Sequence, residues 1–319
     1  MLSRGVERKG GVIPRNVTVS IGTRNRPAAL DRCLRSLVLA RDFLDAVIVV
    51  DDASDPPVDP GAMQDHARAL GVRVDLVRLD AHTGVSAASN IAAQRAASRY
   101  VLGLDDDAFL VTTEALASAV ALLDADESIA AVAFAQANEH AAPLQASQQP
   151  SAAAQRCYVP AFIGFGSLIR RDRLIEVGGF RGEFMIHGEE RELCLRWLDR
   201  GWRVVYLPDA PIAHVADRAN RDPRTYVRHV IRNDCLNALY NEPAARAIVS
   251  IPIRLLNFRR MAAGIPGGDP QGIGWIVRDL WSRWPSVRRQ RRPVRWSTLA
   301  EWRRLRDSAP PYTGPPVQQ

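Results

Sequence analysis

The chain has 319 residues, 47% of them hydrophobic, and a formal net charge of +7; that composition is ample for a globular core. No run of about 18 apolar residues occurs and no apolar signal core follows the charged N-terminus, so neither a membrane span nor a secretory leader is expected and the chain is assigned to the cytoplasm. Cys33, Cys157, Cys194 and Cys235 stand too far apart for a zinc site or a disulfide framework and read as reduced, structural thiols.

In chain order, residues 17–21 (Val-Thr-Val-Ser-Ile) predict a strand and 22–27 (Gly-Thr-Arg-Asn-Arg-Pro) the loop leaving it, with Pro27 suited to a first helical turn. Leu30, Leu34, Leu37 and Val38 recur at helical spacing, and residues 46–50 form a second apolar strand that ends in Asp51 and Asp52, completing a βαβ unit. A third strand is expected at 72–77, a helix at 86–98, a fourth strand at 100–104, and a further helix opening at Thr113 and Glu114. This alternation implies an α/β fold with a mainly parallel sheet. The loops after Ile21, Val50 and Leu104 leave it at one edge, so a common crevice follows.

The most telling stretch is 100–108, an apolar run that stops in Asp105, Asp106 and Asp107. Three carboxylates at the exposed end of a buried strand repel unless a cation or a hydrogen-bond network holds them. A plain Asp-rich turn capping the next helix is the alternative. Residues 138–156, rich in Ala, Gln, Ser and Pro, are expected to form a weakly ordered loop near the crevice. Gly178-Gly179-Phe180 marks a turn, and 189–200 predicts a helix with Leu193, Trp197 and Leu198 inward and Gly201 as its stop. A strand follows at 203–207, and from Pro223 onward the pattern is helical.

These motifs, in order, resemble the family-2 inverting glycosyltransferases of GT-A fold: residues 17–27, Val-Val-Asp-Asp-Ala-Ser at 49–54, His-Thr-Gly-Val-Ser at 82–86, Leu-Asp-Asp-Asp at 104–107, Gly-Phe-Gly at 164–166, and Gly-Glu-Glu-Arg-Glu-Leu at 188–193. The resemblance spans about 16–216 and implies three segments: a tail at 1–16, a GT-A catalytic domain at 17–222 and a helical extension at 223–319. It implies a nucleotide-sugar donor, UDP- or dTDP-linked by preference, and a glycan, lipid-linked or small-molecule acceptor. Asp105 and Asp107 then match the metal-binding motif, with hard oxygen ligands suited to Mg²⁺ or Mn²⁺. Asp106 is expected on the donor ribose or a backbone amide.

His214 matches a position where many members supply a further metal ligand; a half-buried structural histidine is the alternative. Thr23, Arg26, Asp51 and Asp52 fall where the family holds the base and ribose of the nucleotide, although Asp and Thr also cap loops. The family's general base lies in an acidic pair opening a helix. Here the pair is Glu189-Glu190 rather than Glu-Asp, and alignment assigns the role to Glu190, with Glu189 as the other candidate. Glu192 can be read as answering the helix dipole. Residues 226–241 further resemble bacterial rhamnosyltransferase-like members.

The positive charge is unevenly placed. Residues 251–319 hold 13 Arg and 4 acids, leaving 29 basic and 31 acidic residues in 1–250. Trp275, Trp281, Trp284, Trp296 and Trp302 interleave with those arginines, a pattern that fits peripheral contact with anionic phospholipid, a dimer contact, a lid over the acceptor cleft or a solvated face. The acidic crevice argues against nucleic acid as a partner. A catalytically silent sugar-nucleotide- or glycan-binding module is the rival reading.

Overall fold

Residues 17–21 are buried to a residue, as a strand flanked on both sides in a helix-covered sheet must be. The computed structural model describes residues 15–215 and 222–315; nearly all of the expected tail at 1–16 lies outside them, and so does the stretch just before the boundary expected at 222. The chain runs β1 (Val17–Thr23), α1 (Pro27–Ser36), β2 (Leu44–Asp51), α2 (Pro60–Leu70), β3 (Arg73–Arg78), α3 (Val85–Arg95), β4 (Tyr100–Asp105) and β5 (Ala108–Leu110). It continues through α4 (Glu114–Ala125), β6 (Ile129–Ala137), β7 (Cys157–Val159), β8 (Gly166–Arg170), α5 (Arg171–Glu176), α6 (Glu189–Asp199) and β9 (Arg203–His214). Five helices follow: α7 (Pro223–Asn241), α8 (Ala244–Ala263), α9 (Gly272–Ser282), α10 (Trp284–Gln290) and α11 (Trp296–Ser308).

The sheet order is β3-β2-β1-β4-β8-β6-β9-β5, with β7 also on β9. β1 to β4 pair in parallel, which brings the carboxyl ends of β1, β2 and β4 to one edge. β8 enters antiparallel between β4 and β6, and β6 and β9 are again parallel. β6, apolar but for Gln136, carries no period that separates a buried strand from a buried helix, so its spacing does not announce it. β9 runs seven residues past the expected Leu207, because its far end finds partners in β6 and β5.

The loop expected to be weakly ordered is fastened instead. Gln149 accepts from the Gln136 amide and donates to the Gln136 carbonyl, both at 2.8 Å. Gln149, one of the polar side chains of 138–156, thus serves as a backbone partner.

Of the C-terminal helices, α7 packs on α6 and α11 on α6 and β7, while α8, α9 and α10 pack on α7. Trp302 lies against Leu195, Val294 and Leu299, and Tyr312 donates its amide to Arg156. Trp275 packs with Ile231 and Phe258, whereas Trp281, Trp284 and Trp296 are exposed. Among the described residues no helix is long and apolar enough to cross a membrane, and all four cysteines are free and buried.

Candidate active site

β4 delivers Asp105, the chain turns through Asp106 and Asp107, and β5 leaves to pair with the end of β9. That pairing sets Ala108 opposite His214, so the histidine arrives beside the acidic turn from a strand about a hundred residues later. His214 Nε2 lies 3.3 Å from Asp107 Oδ1 and 4.0 Å from Asp105 Oδ2. One ligand atom from each of the three falls within 4.8 Å of the others. Two further contacts fix the imidazole: Nδ1 donates to Gln136 Oε1 at 2.8 Å and Phe165 stacks on the ring at 5.2 Å.

With Nδ1 so engaged, Nε2 is the nitrogen left to face the carboxylates, the arrangement of a metal-ligating histidine. Asp107 Oδ1 is buried without a hydrogen-bond partner. An orphan carboxylate oxygen grouped with Asp105 and an imidazole nitrogen is a donor set that fits a hard or borderline divalent ion. Desolvation, reinforced by the charge of Asp107, pushes Asp105 above the ordinary carboxylate range. Gln136 went unnoticed in the sequence, although it stands out as the one polar side chain in the apolar run of β6.

The nucleotide candidates divide. Thr23 Oγ1 donates to Asp106 at 2.8 Å, and Arg26 reaches Asp106 and Asp107 at 2.9 and 3.0 Å. Asp106 is thereby held between the first loop and the acidic turn. Asp52 accepts from His82 Nδ1 and from the Thr83 and Gly84 amides at 2.7–2.8 Å; burial raises its pKa, but these bonds outweigh burial and hold it low. It still faces the crevice. Asp51 does not: its oxygens accept from the Ser54 and Val58 amides and from Arg78, so it shapes its own loop, the capping alternative.

Glu189 and Glu190 open α6 just after Gly188, whose φ of +87° suits a residue without Cβ. Glu190 Oε1 accepts from the Gly164 amide at 2.9 Å, and a Cβ on Gly164 would sit 2.8 Å from that oxygen. Glycine at 164 therefore lets the carboxylate dock on the backbone. Glu189 is buried with Oε2 unpartnered. Burial first, then the charge of Glu190, drives its pKa well up; burial also raises Glu190, against the Gly164 amide.

The loop before this pair is clamped from α7. Buried Asn233 donates to the carbonyls of Phe184, Ile186 and His187 at 2.6–2.9 Å. Glu192 is not a dipole ornament but the fully buried partner of Arg181, Arg196 and Asn241. Asn90 pairs with the Phe180 backbone and so joins α3 to the glycine turn.

Thr23, Arg26, Asp52, Asp105, Asp106, Asp107, Glu189, Glu190 and His214 line one cavity of about 450 Å³, which Asp51 and Glu192 do not reach. Residues 18–182 match the family described as Glycosyl transferase family 2, and the chain belongs to that family. It is a glycosyltransferase by family, on the GT-A fold. It is 28% identical over 253 residues to a protein of Mycobacterium tuberculosis described as a pre-mycofactocin glycosyltransferase, covering 75% of this chain and 48% of the relative. The chain thus spans about half the length of the curated relatives it matches.

Among solved structures, a mannosyltransferase of Pyrobaculum calidifontis in complex with GDP-Man and Mn²⁺ superposes with a TM-score of 0.57 at 20% identity, covering 90% of this chain and 84% of that one. GalNAc-T7 with UDP, GalNAc and Mn²⁺ gives a TM-score of 0.60 at 16% identity, covering 83% and 54%. The 1–349 portion of S. aureus TarS with UDP-GlcNAc gives 0.53 at 16%, covering 79% and 76%. At such identities the likeness is one of fold.

Proposed function

We propose that this chain transfers a sugar from a nucleotide-diphosphate donor, UDP- or dTDP-linked by preference, to an acceptor hydroxyl with inversion at the anomeric carbon. The observation that carries this reading is the shared cavity: an acidic, histidine-completed cation site and a glutamate suited to be a base open into the same space. Asp105, Asp107 and His214 would hold Mn²⁺ or Mg²⁺, the imidazole favouring Mn²⁺. Such an ion, when bound, neutralises charge on a departing diphosphate. Thr23, Arg26, Asp52 and Asp106 are the donor-binding residues, and Asp51 supports the loop that carries Asp52.

Glu190 is the proposed base. Its carboxylate rests on the Gly164 amide at the cavity wall, which fixes its direction for accepting the proton of an incoming hydroxyl. Glu189, buried beside it on the same cavity wall, is the neighbour that resists a second charge. The proposed acceptor is a hydroxyl of a glycan, lipid-linked or small-molecule substrate. Peripheral contact with anionic membrane through the exposed Trp281, Trp284 and Trp296 and the surrounding arginines is the proposed role of the C-terminal segment.

The test is donor hydrolysis and transfer with UDP-, dTDP- and GDP-sugars, with Mn²⁺, with Mg²⁺ and with chelator. Asp107→Asn is expected to abolish transfer and the metal dependence of nucleotide binding while the protein stays folded, because a neutral amide is a poor ligand for a hard ion. Metal-dependent UDP or dTDP binding retained in that variant would show the cation site to be elsewhere, and nucleotide binding without turnover in the wild-type chain would favour the silent binding module.

A further inference from the structure

A second cleft, sharing no lining residue with the first, lies between α6 and the segment around the end of α10. It encloses about 500 Å³, within the roughly 300–1,000 Å³ usual for small-ligand sites. Arg181, Arg196, Arg200, Arg289 and Arg292 line it, against one carboxylate, Asp199.

The charges do not balance. Asp199 Oδ1 is taken by the Thr298 hydroxyl and the Arg295 amide. Arg181 and Arg196 share the single carboxylate of Glu192. The nearest acid to Arg200 is Glu176 at 3.9 Å, which Arg173 approaches at 3.7 Å. Among the described residues Arg289 forms no ion pair, and Arg292 donates only to the Arg291 carbonyl, through Nη1, apart from its own amide on Tyr240. Three exposed guanidiniums with unspent donors therefore surround a concave space with net positive charge.

Like charges gathered in a cleft focus the potential and repel one another until an anion is bound. Planar guanidinium forks match phosphate oxygens in pairs. We propose that this cleft is a binding site for a phosphate-bearing anion, supplied either by a phospholipid headgroup or by a free phosphorylated compound. It does not depend on the assignment of the catalytic residues. Exposed Trp296 lies two residues along the chain from Val294 of the cleft wall, where a ring could enter a headgroup layer.

The test titrates the full chain with inorganic pyrophosphate in chelator at low salt and, in parallel, sediments it with phosphatidylglycerol and with phosphatidylcholine vesicles. At least one anionic probe is expected to bind, less tightly as salt rises. The double variant Arg289→Gln, Arg292→Gln should weaken that binding about tenfold or more, since two charge-assisted contacts are lost. Arg303→Gln, exposed on α11 and outside the cleft, should not. Pyrophosphate binding points to a free compound, and vesicle binding alone to a headgroup.

The proposal is overturned if neither anionic probe binds, or if the double variant, with an unchanged melting temperature, binds as wild type does. It is also overturned if Asp107→Asn rather than the double variant removes the binding, which would trace it to the acidic crevice. Loss of sugar transfer with this binding intact would instead count against the catalytic reading alone.

Discussion

Gln136 and His214 meet through one hydrogen bond, Nδ1 to Oε1 at 2.8 Å, that decides which nitrogen of the imidazole faces Asp105 and Asp107. Partners of this kind orient a metal ligand and typically carry 10–100-fold in affinity. Gln136→Ala is therefore expected to weaken Mn²⁺ binding by about tenfold, read by calorimetric titration, while Gln136→Glu, which keeps an acceptor, recovers most of it. Equal affinity in wild type and Gln136→Ala would mean that Gln136 serves only its loop.

The acidic pair gives a ranked prediction. Glu190→Gln should lower kcat by ~10²-fold with donor affinity nearly unchanged, because a base acts in the transition state, and Glu189→Gln should lower it less. Glu189 also makes a pH statement. Its folded pKa is raised, so the folded chain holds the proton more tightly than the unfolded one, and stability falls as pH climbs from the ordinary glutamate range through the raised value. Glu189→Gln should then melt higher than wild type at neutral pH, with the difference vanishing in acid. A reversed kinetic ranking would move the base to Glu189.

Glu192 has the opposite sign. Burial raises its pKa, but Arg196 and Arg181 outweigh burial and hold it low, so its contribution is present above the ordinary glutamate pKa and lost as pH falls through the depressed value. Glu192→Ala leaves buried Arg196 without its carboxylate and should cost about 3–5 kcal/mol, measured by urea denaturation. A loss below about 1 kcal/mol, the range of an exposed pair, would show that water reaches this cluster.

The tryptophans divide into two groups with different expected behaviour. Trp302 and Trp275 pack inside clusters, so truncation from Gly264 should expose core and produce aggregation rather than a clean loss of membrane affinity. Trp281→Ala with Trp284→Ala, both exposed, should leave the melting temperature within a degree or two and reduce sedimentation with anionic vesicles. Unchanged sedimentation would remove these two rings from any membrane contact.

Local chemistry announced much of the site. An apolar strand running into Asp105, Asp106 and Asp107, the Val/Ile run into Asp51 and Asp52, and two glutamates at a helix start are each legible because strand ends, loops and helix starts follow from nearest neighbours in the chain. That the loops after Ile21, Val50 and Leu104 share one edge followed from the alternation of strand and helix. What the chain order could not express is the antiparallel return of β8, the unmarked β6, and the register that sets Ala108 opposite His214. Those depend on pairing between segments roughly 35 to 105 residues apart, where the deciding term is burial of whole faces rather than local preference. The same holds for function-bearing detail: whether Asp51 or Asp52 faces the crevice, whether Glu192 caps a helix or anchors two arginines, and whether a tryptophan is core or surface. A side chain's type sets what it can do; its partners, brought together only by folding, determine which of those things it does.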